Sequence, residues 1–561
     1  MTGINHYGPV LAYLTLLFVL AVAWPLVQRE RTWTIGALVV VAVIFVIHEY
    51  LYDTVSEDAF ITYRYSQNLV MGHGPVFNLG QHVEGYSDFL WMVILAAARW
   101  VAGLPIEPAA RFLGATCAVA TLFATYALTV RLTHNRGAGV LSALLTGAIG
   151  SFAAWGPSGL EVPLFSLLVV LTLLTLANER YLLTGLTAAL AIMTRPDGFI
   201  VVTVILAWLL GVSSKTIRSR LHSVGTMFGG LAIPIVPWSI WRISYYHYFI
   251  PNAIAAKAGM ALNHQVHLGL QYFNQFSLSI QPALVLSAVA LAFFLPSRKE
   301  VANTSRTFWL LLVAVVIAYC VYVVLIGGDW MPAFRFFAPI TPVFAIATVA
   351  TLHWGLGAMP RLVSSQRGNC VVTCAVAAIL LAVDYADRSL IPSIRVHRVQ
   401  VEELAEVGRW FHATLPGGTV IATFPNGSLS FFAGTGFRMI DMNGLTDEFI
   451  ARHGHRNREA EVPGHVAYDY RYVASERPDI VFDDVQGLDR MRSCVVYRHF
   501  TREYVGFTFE RRGERLWADM MIRRDERSTI VARLSSVASF VPYPCPPTSQ
   551  TGHAPPLLNE A

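Results

Sequence analysis

Charge is what this chain has least of. Asp, Glu, Lys and Arg make up 14% of its 561 residues, against 55% hydrophobic types, and the mean hydropathy is +0.50. A soluble chain of this length needs far more polar surface. The composition leaves a polytopic α-helical membrane protein. The net charge is only +5 and no basic tract occurs, so nucleic acid is not an expected partner. Cysteine is scarce too. Cys117, Cys320, Cys370 and Cys374 lie in apolar runs, where a thiol is usually a small buried hydrophobe. Cys370 and Cys374, four apart in one such run, make a poor zinc signature. Cys494 and Cys545 could pair in an oxidising compartment. No internal repeat stands out, which argues against a transporter built from inverted repeats. The first apolar run, "GPVLAYLTLLFVLAVAWPLV", lacks a basic leader and a small-residue cleavage site, so a retained span is expected.

Apolar runs lie near 9–27, 34–51, 89–104, 111–131, 138–154, 160–177, 181–193, 198–211, 224–242, 280–295, 308–326, 335–357 and 369–385. Crossing takes roughly 20 residues. Basic residues collect in alternate loops: Arg29 and Arg31, Arg131 and Arg136, Lys215 to Arg220, Arg298 to Arg306, and Arg361 with Arg367. Placing these in the cytoplasm puts 53–88, "WGPSGLE", "TRPDG", 243–279, "GGDWMPAFR" and everything after 386 on the outer face of the cytoplasmic membrane. One conflict remains: runs 89–104 and 111–131 must together make one net crossing.

The chain divides into a multi-span domain over 1–385, an outer α/β domain over 386–540 and a Pro-rich, disordered tail over 541–561. In the second domain "RVHRVQVEELAEVGRWFHATLPGG" reads as an amphipathic helix ending at Gly417 and Gly418. "TVIATF" and "RMIDM" read as strands, "SLSFFAG" and "TDEFIARHG" as short helices, and "YDYRYVASERPDIVFDD" as helix then strand. Such alternation predicts a parallel sheet. Asp441, Asn443, Asp447, His453 and His465 fit structural turns and carbohydrate contact better than a metal loop.

The segment "SEDAFITYRYSQNLVMGHGPVFNLGQHVEGYSDFLW" places Glu57 and Asp58 just past a membrane run. Ser56 could cap a following helix, with the two acids merely solvated. The aromatic, glycine-turned remainder of the loop suggests an ordered site instead. A carboxylate at the membrane surface suits transfer of a sugar from a lipid-phosphate donor, because the attacking hydroxyl must lose a proton to a general base. The leaving phosphate needs cations. Arg64, His73, Arg195, Lys257 and Arg335 could supply them, or could anchor lipid headgroups.

The same segment resembles the first external loop of GT-C membrane glycosyltransferases, in particular the AftB-like terminal β-(1→2)-arabinofuranosyltransferases. "WGPSGLEVPLF", "TRPDG", "GGDWMPAFRFFAPITP", "MIDMNGLTDEFIARH…PGH" and "ERPDIVF" continue the likeness, over about residues 50–485. The resemblance implies a GT-C fold and a decaprenyl-phosphoryl-arabinofuranose donor. It also implies an arabinan acceptor, such as that of arabinogalactan or lipoarabinomannan, and transfer outside the cytoplasmic membrane. It maps the family's Asp-Asp pair onto Glu57 and Asp58, with Asp58 as base and Glu57 as helper. The Glu leaves open another sugar or another surface-glycan or lipid acceptor. Outside enzymes, a lipid-linked sugar transporter or a glycan-binding scaffold stays in view.

The remaining substrate-site candidates are Tyr65, Glu84 and Tyr86 in the same loop, Glu161, the Arg195–Asp197 pair, Lys257, and Asp329, Trp330 and Arg335. Each has a plainer reading: Glu161 as a helix cap, Arg195 with Asp197 as a mutual ion pair, Trp330 as an interfacial anchor. No metal or other cofactor is expected, since only one close acidic pair is visible. A divalent ion between an acid and the phosphate is the less favoured alternative.

Overall fold

The computed structural model describes residues 8–212, 216–279, 303–357, 374, 390–485, 500, 503–511, 517–535 and 538–542. The expected spans over 280–295 and, apart from Cys374, over 369–385 lie outside these residues, as do Cys370, Cys494, Cys545 and residues 543–561. Cys117, Cys320 and Cys374 are free thiols.

Five described helices are long and apolar enough to cross a membrane. They are α1 (Gly8–Arg29), α2 (Arg31–Tyr52), α5 (Ile106–Thr133), α11 (Ile217–Tyr246) and α14 (Asn303–Leu325). Between them come α3 (Ala59–Val70), α4 (Phe89–Ala102), α6 (Arg136–Ala148), α7 (Gly150–Trp155), α8 (Val162–Ala177), α9 (Tyr181–Thr194), α10 (Gly198–Gly211), α12 (Asn252–Lys257) and α13 (Leu262–Ser279). The chain continues through α15 (Thr341–Gly357) into α16 (Leu390–Thr414). It is a multi-pass membrane protein. The run 138–154 is two helices, because Ile149 is extended and separates α6 from α7. The short run 181–193 is a genuine helix. Gly185 of α9 and Gly230 of α11 let those two backbones touch, since a Cβ at Gly185 would fall 2.0 Å from the Met227 carbonyl oxygen.

One ion pair resolves the conflict over 89–131. Arg111, in the second turn of α5, pairs with Asp53, which closes α2 in a left-handed conformation. So α5 starts on the side where α2 ends, and its 28 residues make the crossing. The 14 residues of α4 reach only about 21 Å, and three residues link α4 to α5. Both ends of α4 therefore stay on the Asp53 side.

The C-terminal domain adds β1 (Val420–Thr423), α17 (Ser428–Ala433), β2 (Arg438–Asp441), α18 (Glu448–His453), β3 (His455–Arg456), β4 (Ala467–Tyr468), α19 (Tyr470–Ser475), β5 (Ile480–Val485), β6 (Tyr504–Arg511), β7 (Trp517–Arg523), α20 (Arg527–Leu534) and β8 (Ala538–Pro542). The main sheet runs β2-β1-β5-β7-β6-β8. Its first three strands are parallel, as expected, but β7, β6 and β8 are antiparallel additions. Only five residues separate β6 from β7, too few for a crossover helix, so the sheet is mixed.

The loop after α2 is built into this domain. Arg64 is fully buried and donates to the carbonyls of Phe77 (2.8 Å), Gly434 (3.0 Å), Phe437 (2.8 Å) and Ser430. Asn78 pairs with Met439 on edge strand β2 as a strand residue would: Nδ2 donates to the carbonyl at 2.8 Å and Oδ1 accepts from the amide at 2.9 Å. Arg64→Met would leave those carbonyls buried without donors, at about 1–3 kcal/mol each and less than additively. We expect it to lower stability by about 3 kcal/mol or more, read as a drop in Tm and faster proteolysis between the loop and the C-terminal domain.

Candidate active site

Adjacent residues Glu57 and Asp58 turn in opposite directions. The Glu57 carboxylate accepts the backbone N–H groups of Gly427 and Ser428 (3.1 Å to the latter), which caps α17 in the C-terminal domain. Asp58 occupies the N-cap position of α3 but makes no capping bond, and its carboxylate enters a cavity of about 440 Å³. Ser56 does not cap the helix either. Its hydroxyl lies 3.6 Å from the Met331 sulfur, and its N–H donates to the Ser158 carbonyl.

Arg335 joins Asp58 to Asp329. Its Nε and Nη2 grip Asp329 bidentately at 2.7 and 2.9 Å, and Nη1 reaches Asp58 at 3.3 Å. The chain is bent to aim it: Ala333 and Phe334, just before it, both have left-handed φ, at 57° and 52°, a strain of about 1–3 kcal/mol each. The Trp155 indole N–H holds the bend by donating to the Ala333 carbonyl at 2.9 Å. Burial works against a charge on Asp58. Arg335, Lys257 and His465 outweigh it and hold the carboxyl below its ordinary pKa.

A second cluster shares the cavity. Arg195 donates to Glu161 at 2.7 Å and to Asp197 at 3.0 Å, and the Tyr319 hydroxyl donates to the other Asp197 oxygen. Glu161 and Asp197 hold N-cap positions on α8 and α10 without capping. The Phe336 ring lies between the two guanidiniums, 5.3 Å from that of Arg195 and 5.1 Å from that of Arg335. Lys257, at the end of α12, opens onto the cavity and takes part in none of these pairs. Trp330 stands in the wall, edge-on to His397 and His465.

The structure thus brings Asp58, Tyr86, Glu161, Arg195, Asp197, Lys257, Asp329, Trp330 and Arg335 to one cavity. Five expected site residues lie elsewhere. Glu57 caps α17 and Arg64 is enclosed by carbonyls. The Tyr65 hydroxyl donates to Val83 O and accepts from Gly85 N. Glu84 is paired with Arg242 at 2.6 Å. His73 lies exposed on the glycine turn. Asp441 and Asp447 hold turns and a cap, accepting from Asn443 and Thr446, and from Ile450.

His465, named in the sequence for carbohydrate contact, reaches the cavity from the C-terminal domain, and one acid there was not expected. Asp88 is buried, has both carboxyl oxygens within reach of the Thr62 hydroxyl (3.0 and 2.9 Å), and sits at the N-cap position of α4. Burial and then the nearby Glu161 charge push its pKa up to about 8. Its signal was available: "YSDF" repeats the pattern of "SEDAF", "GLEV" and "RPDGF", an acid directly before an apolar helix.

With this geometry in view, the comparisons with known proteins are informative. A family model described as a domain of unknown function (DUF8728) matches residues 392–531. A terminal beta-(1->2)-arabinofuranosyltransferase of Corynebacterium glutamicum is 27% identical over 329 residues, covering 52% of this chain; the chain spans only 47% of that relative's length. Among solved structures, ArnT from Cupriavidus metallidurans bound to undecaprenyl phosphate matches with TM-score 0.56 at 11% identity, covering 88% of this chain and 98% of that one. The archaeal oligosaccharyltransferase AglB from Archaeoglobus fulgidus, in complex with an inhibitory peptide and a dolichol-phosphate, matches with TM-score 0.56 at 13% identity, covering 87% and 74%. The fold is therefore that of the GT-C membrane glycosyltransferases, as the sequence implied, and the chain is similar in sequence to the arabinofuranosyltransferases.

The Glu57 cap has a pH consequence. Burial first, then the Asp58 charge, push its pKa up to about 8, against the capping N–H groups. The folded state then holds this proton over a range where the unfolded chain, near 4.5, has lost it. That term lowers stability as pH rises from about 4.5 to 8. Glu57→Gln keeps an acceptor for the two N–H groups and cannot ionise. Its Tm should fall less than that of the wild type across this range, measured by thermal unfolding in detergent at a series of pH values.

Proposed function

We propose that this protein is a membrane glycosyltransferase that transfers a sugar from a polyprenyl-phosphate donor to a glycan acceptor. The sugar we assign is arabinofuranose from decaprenyl-phosphoryl-arabinofuranose, and the acceptor cell-wall arabinan. The observation that carries this reading is the Asp58 carboxylate, paired with Arg335 and turned into a cavity that Lys257 also lines. The arabinose assignment rests on the sequence likeness to the corynebacterial enzyme. That both solved relatives carry a polyprenyl phosphate supports the donor class.

The step follows from the charges. An acceptor hydroxyl oxygen bonds to the anomeric carbon of the donor. The bond from that carbon to the phosphate oxygen breaks, and its electron pair leaves on the phosphate. The hydroxyl proton passes to Asp58. Arg335 keeps Asp58 deprotonated and oriented, with one contact at 3.3 Å; its bidentate grip goes to Asp329. Lys257 is placed to neutralise the departing phosphate. Asp329 and Arg335 fix the wall from which Trp330 can meet a sugar ring. The Glu that stands where an Asp was expected, at position 57, bonds the C-terminal domain and does not line the cavity, so it gives no reason to change the donor. Arg29, Arg31, Arg131, Arg136, Arg218 and Arg220 lie at the helix ends away from the cavity, which supports a cavity on the outer face of the cytoplasmic membrane.

The test is transfer from synthetic polyprenyl-phosphoryl-arabinofuranose to a short arabinan by protein in nanodiscs. Wild type should transfer, and folded Asp58→Asn should be slower by about 10²–10⁴-fold. Equal rates would remove Asp58 from the base role. No transfer by wild type, with activity on another lipid-linked sugar, would sink the arabinose assignment. Because Arg335 and Lys257 supply positive charge at the acids, we expect a chelator such as EDTA to leave the rate unchanged. A loss restored by a divalent ion would overturn that part of the reading.

A further inference from the structure

The C-terminal domain contributes a side chain to the cavity through a strap. Strands β3 and β4 pair antiparallel, His455 with Tyr468 and Arg456 with Ala467, and the ten residues between them, 457–466, run back over the membrane domain. Asn457 N–H donates to the Val466 carbonyl at 2.8 Å, and His465 N–H to the Val462 carbonyl at 3.2 Å, so the strap has a defined turn. It is pinned to α13 and its approach: Ala261 N–H donates to the Arg458 carbonyl at 2.8 Å, and a His264 ring nitrogen lies 3.1 Å from the Ala460 carbonyl. Gly464 adopts φ +84°, and a Cβ there would be in ordinary contact with the Lys257 methylenes at 3.6 Å.

This strap sets Pro463, Gly464 and His465 in the cavity wall with Asp58. The His465 ring is half-buried and lies 5.7 Å from the Trp330 ring at 62°. His397, on α16, approaches Trp330 at 5.5 Å and 70°. Two histidine contacts thus orient the indole without stacking on it. The cavity then has two chemically different sides. The bundle side carries Arg335 and Arg195, each paired with acids. Lys257, where the bundle meets the strap at Gly464, is the cation outside those pairs and suits a membrane-tethered phosphate. The strap side carries an imidazole and an indole, a pairing that grips a sugar by one hydrogen bond and one stacked ring face.

We infer that His465 is an acceptor-recognition residue: its imidazole hydrogen-bonds a hydroxyl of the terminal acceptor sugar while Trp330 packs against the ring, turning the attacking hydroxyl towards Asp58. The inference rests on the glycosyltransferase reading above and assigns one side of that cavity. A polymeric acceptor arrives from outside the bilayer, where the C-terminal domain stands, whereas the donor is held at the bundle by its lipid.

The experiment measures apparent KM separately for acceptor and donor, with the rate of donor hydrolysis in the absence of acceptor, for wild type, His465→Ala and His465→Phe in nanodiscs. Phe keeps the ring packing and removes the hydrogen bond, so it decides the matter if the alanine variant misfolds. Loss of one such bond should raise acceptor KM about tenfold in both variants, well beyond any change in donor KM. An unchanged acceptor KM overturns the inference while the glycosyltransferase reading stands, and so does an equal rise in donor KM. A fall in kcat with acceptor KM unchanged also overturns it. Wild type inactive on every lipid-linked sugar tested sinks the glycosyltransferase reading and this inference with it.

Discussion

The charge state of the cavity depends on the guanidinium of Arg335. Without it, Asp58 and Asp329 would be two carboxylates in a partly desolvated space, and one would take up a proton. With it, Asp329 is held bidentately and Asp58 by a single longer contact. That inequality matters. A fully paired carboxylate is fixed but a poor proton acceptor, while a loosely held one keeps its charge and a lone pair for another partner. The left-handed Ala333 and Phe334 are the conformational cost of aiming one side chain at both acids.

The second constraint is the attachment of the loop to the C-terminal domain. Glu57, Arg64 and Asn78 all bond backbone groups of that domain, and none of the three faces the cavity. Asp58 is therefore positioned from both sides, by Arg335 in the cavity and by its neighbour's grip on α17. The loop over 53–88 and the C-terminal domain form one folded piece set on the bundle, and this accounts for polar residues that would otherwise look misplaced in so apolar a chain.

The sequence made much of this legible, for physical reasons. Apolar runs mark the spans because the bilayer demands length and composition together. Turn residues and caps mark the short elements of the C-terminal domain. What stayed hidden depends on distant partners. Glu84 and Arg242 are 158 residues apart. Arg64 bonds carbonyls 366–373 residues away as well as one nearby. No local pattern distinguishes a buried structural arginine from one that meets a phosphate. The antiparallel half of the sheet lies beyond the alternating strand and helix segments, although Gly513 in the five-residue link from β6 to β7 is a hairpin signal. The path of α4 became readable only from the pairing of Arg111 with Asp53.

Four acids of the cavity share one local address. Asp58, Asp88, Glu161 and Asp197 each stand at the N-cap position of a helix, and none of their side chains bonds that helix's N–H groups. Helix N-termini carry partial positive charge, so four of them directed at one space offset the repulsion among the acids they carry. Two of the four gain a full cation as well, Arg195, and Asp58 gains Arg335. Asp88 has neither, and takes up a proton instead. Lys257 is the cation left outside these pairs. The other acids are matched by Arg195, Arg335 and the helix ends, so the Lys257 ammonium is left for an anion entering the cavity. The same arithmetic of charge explains why a chain so poor in ionisable residues concentrates them here.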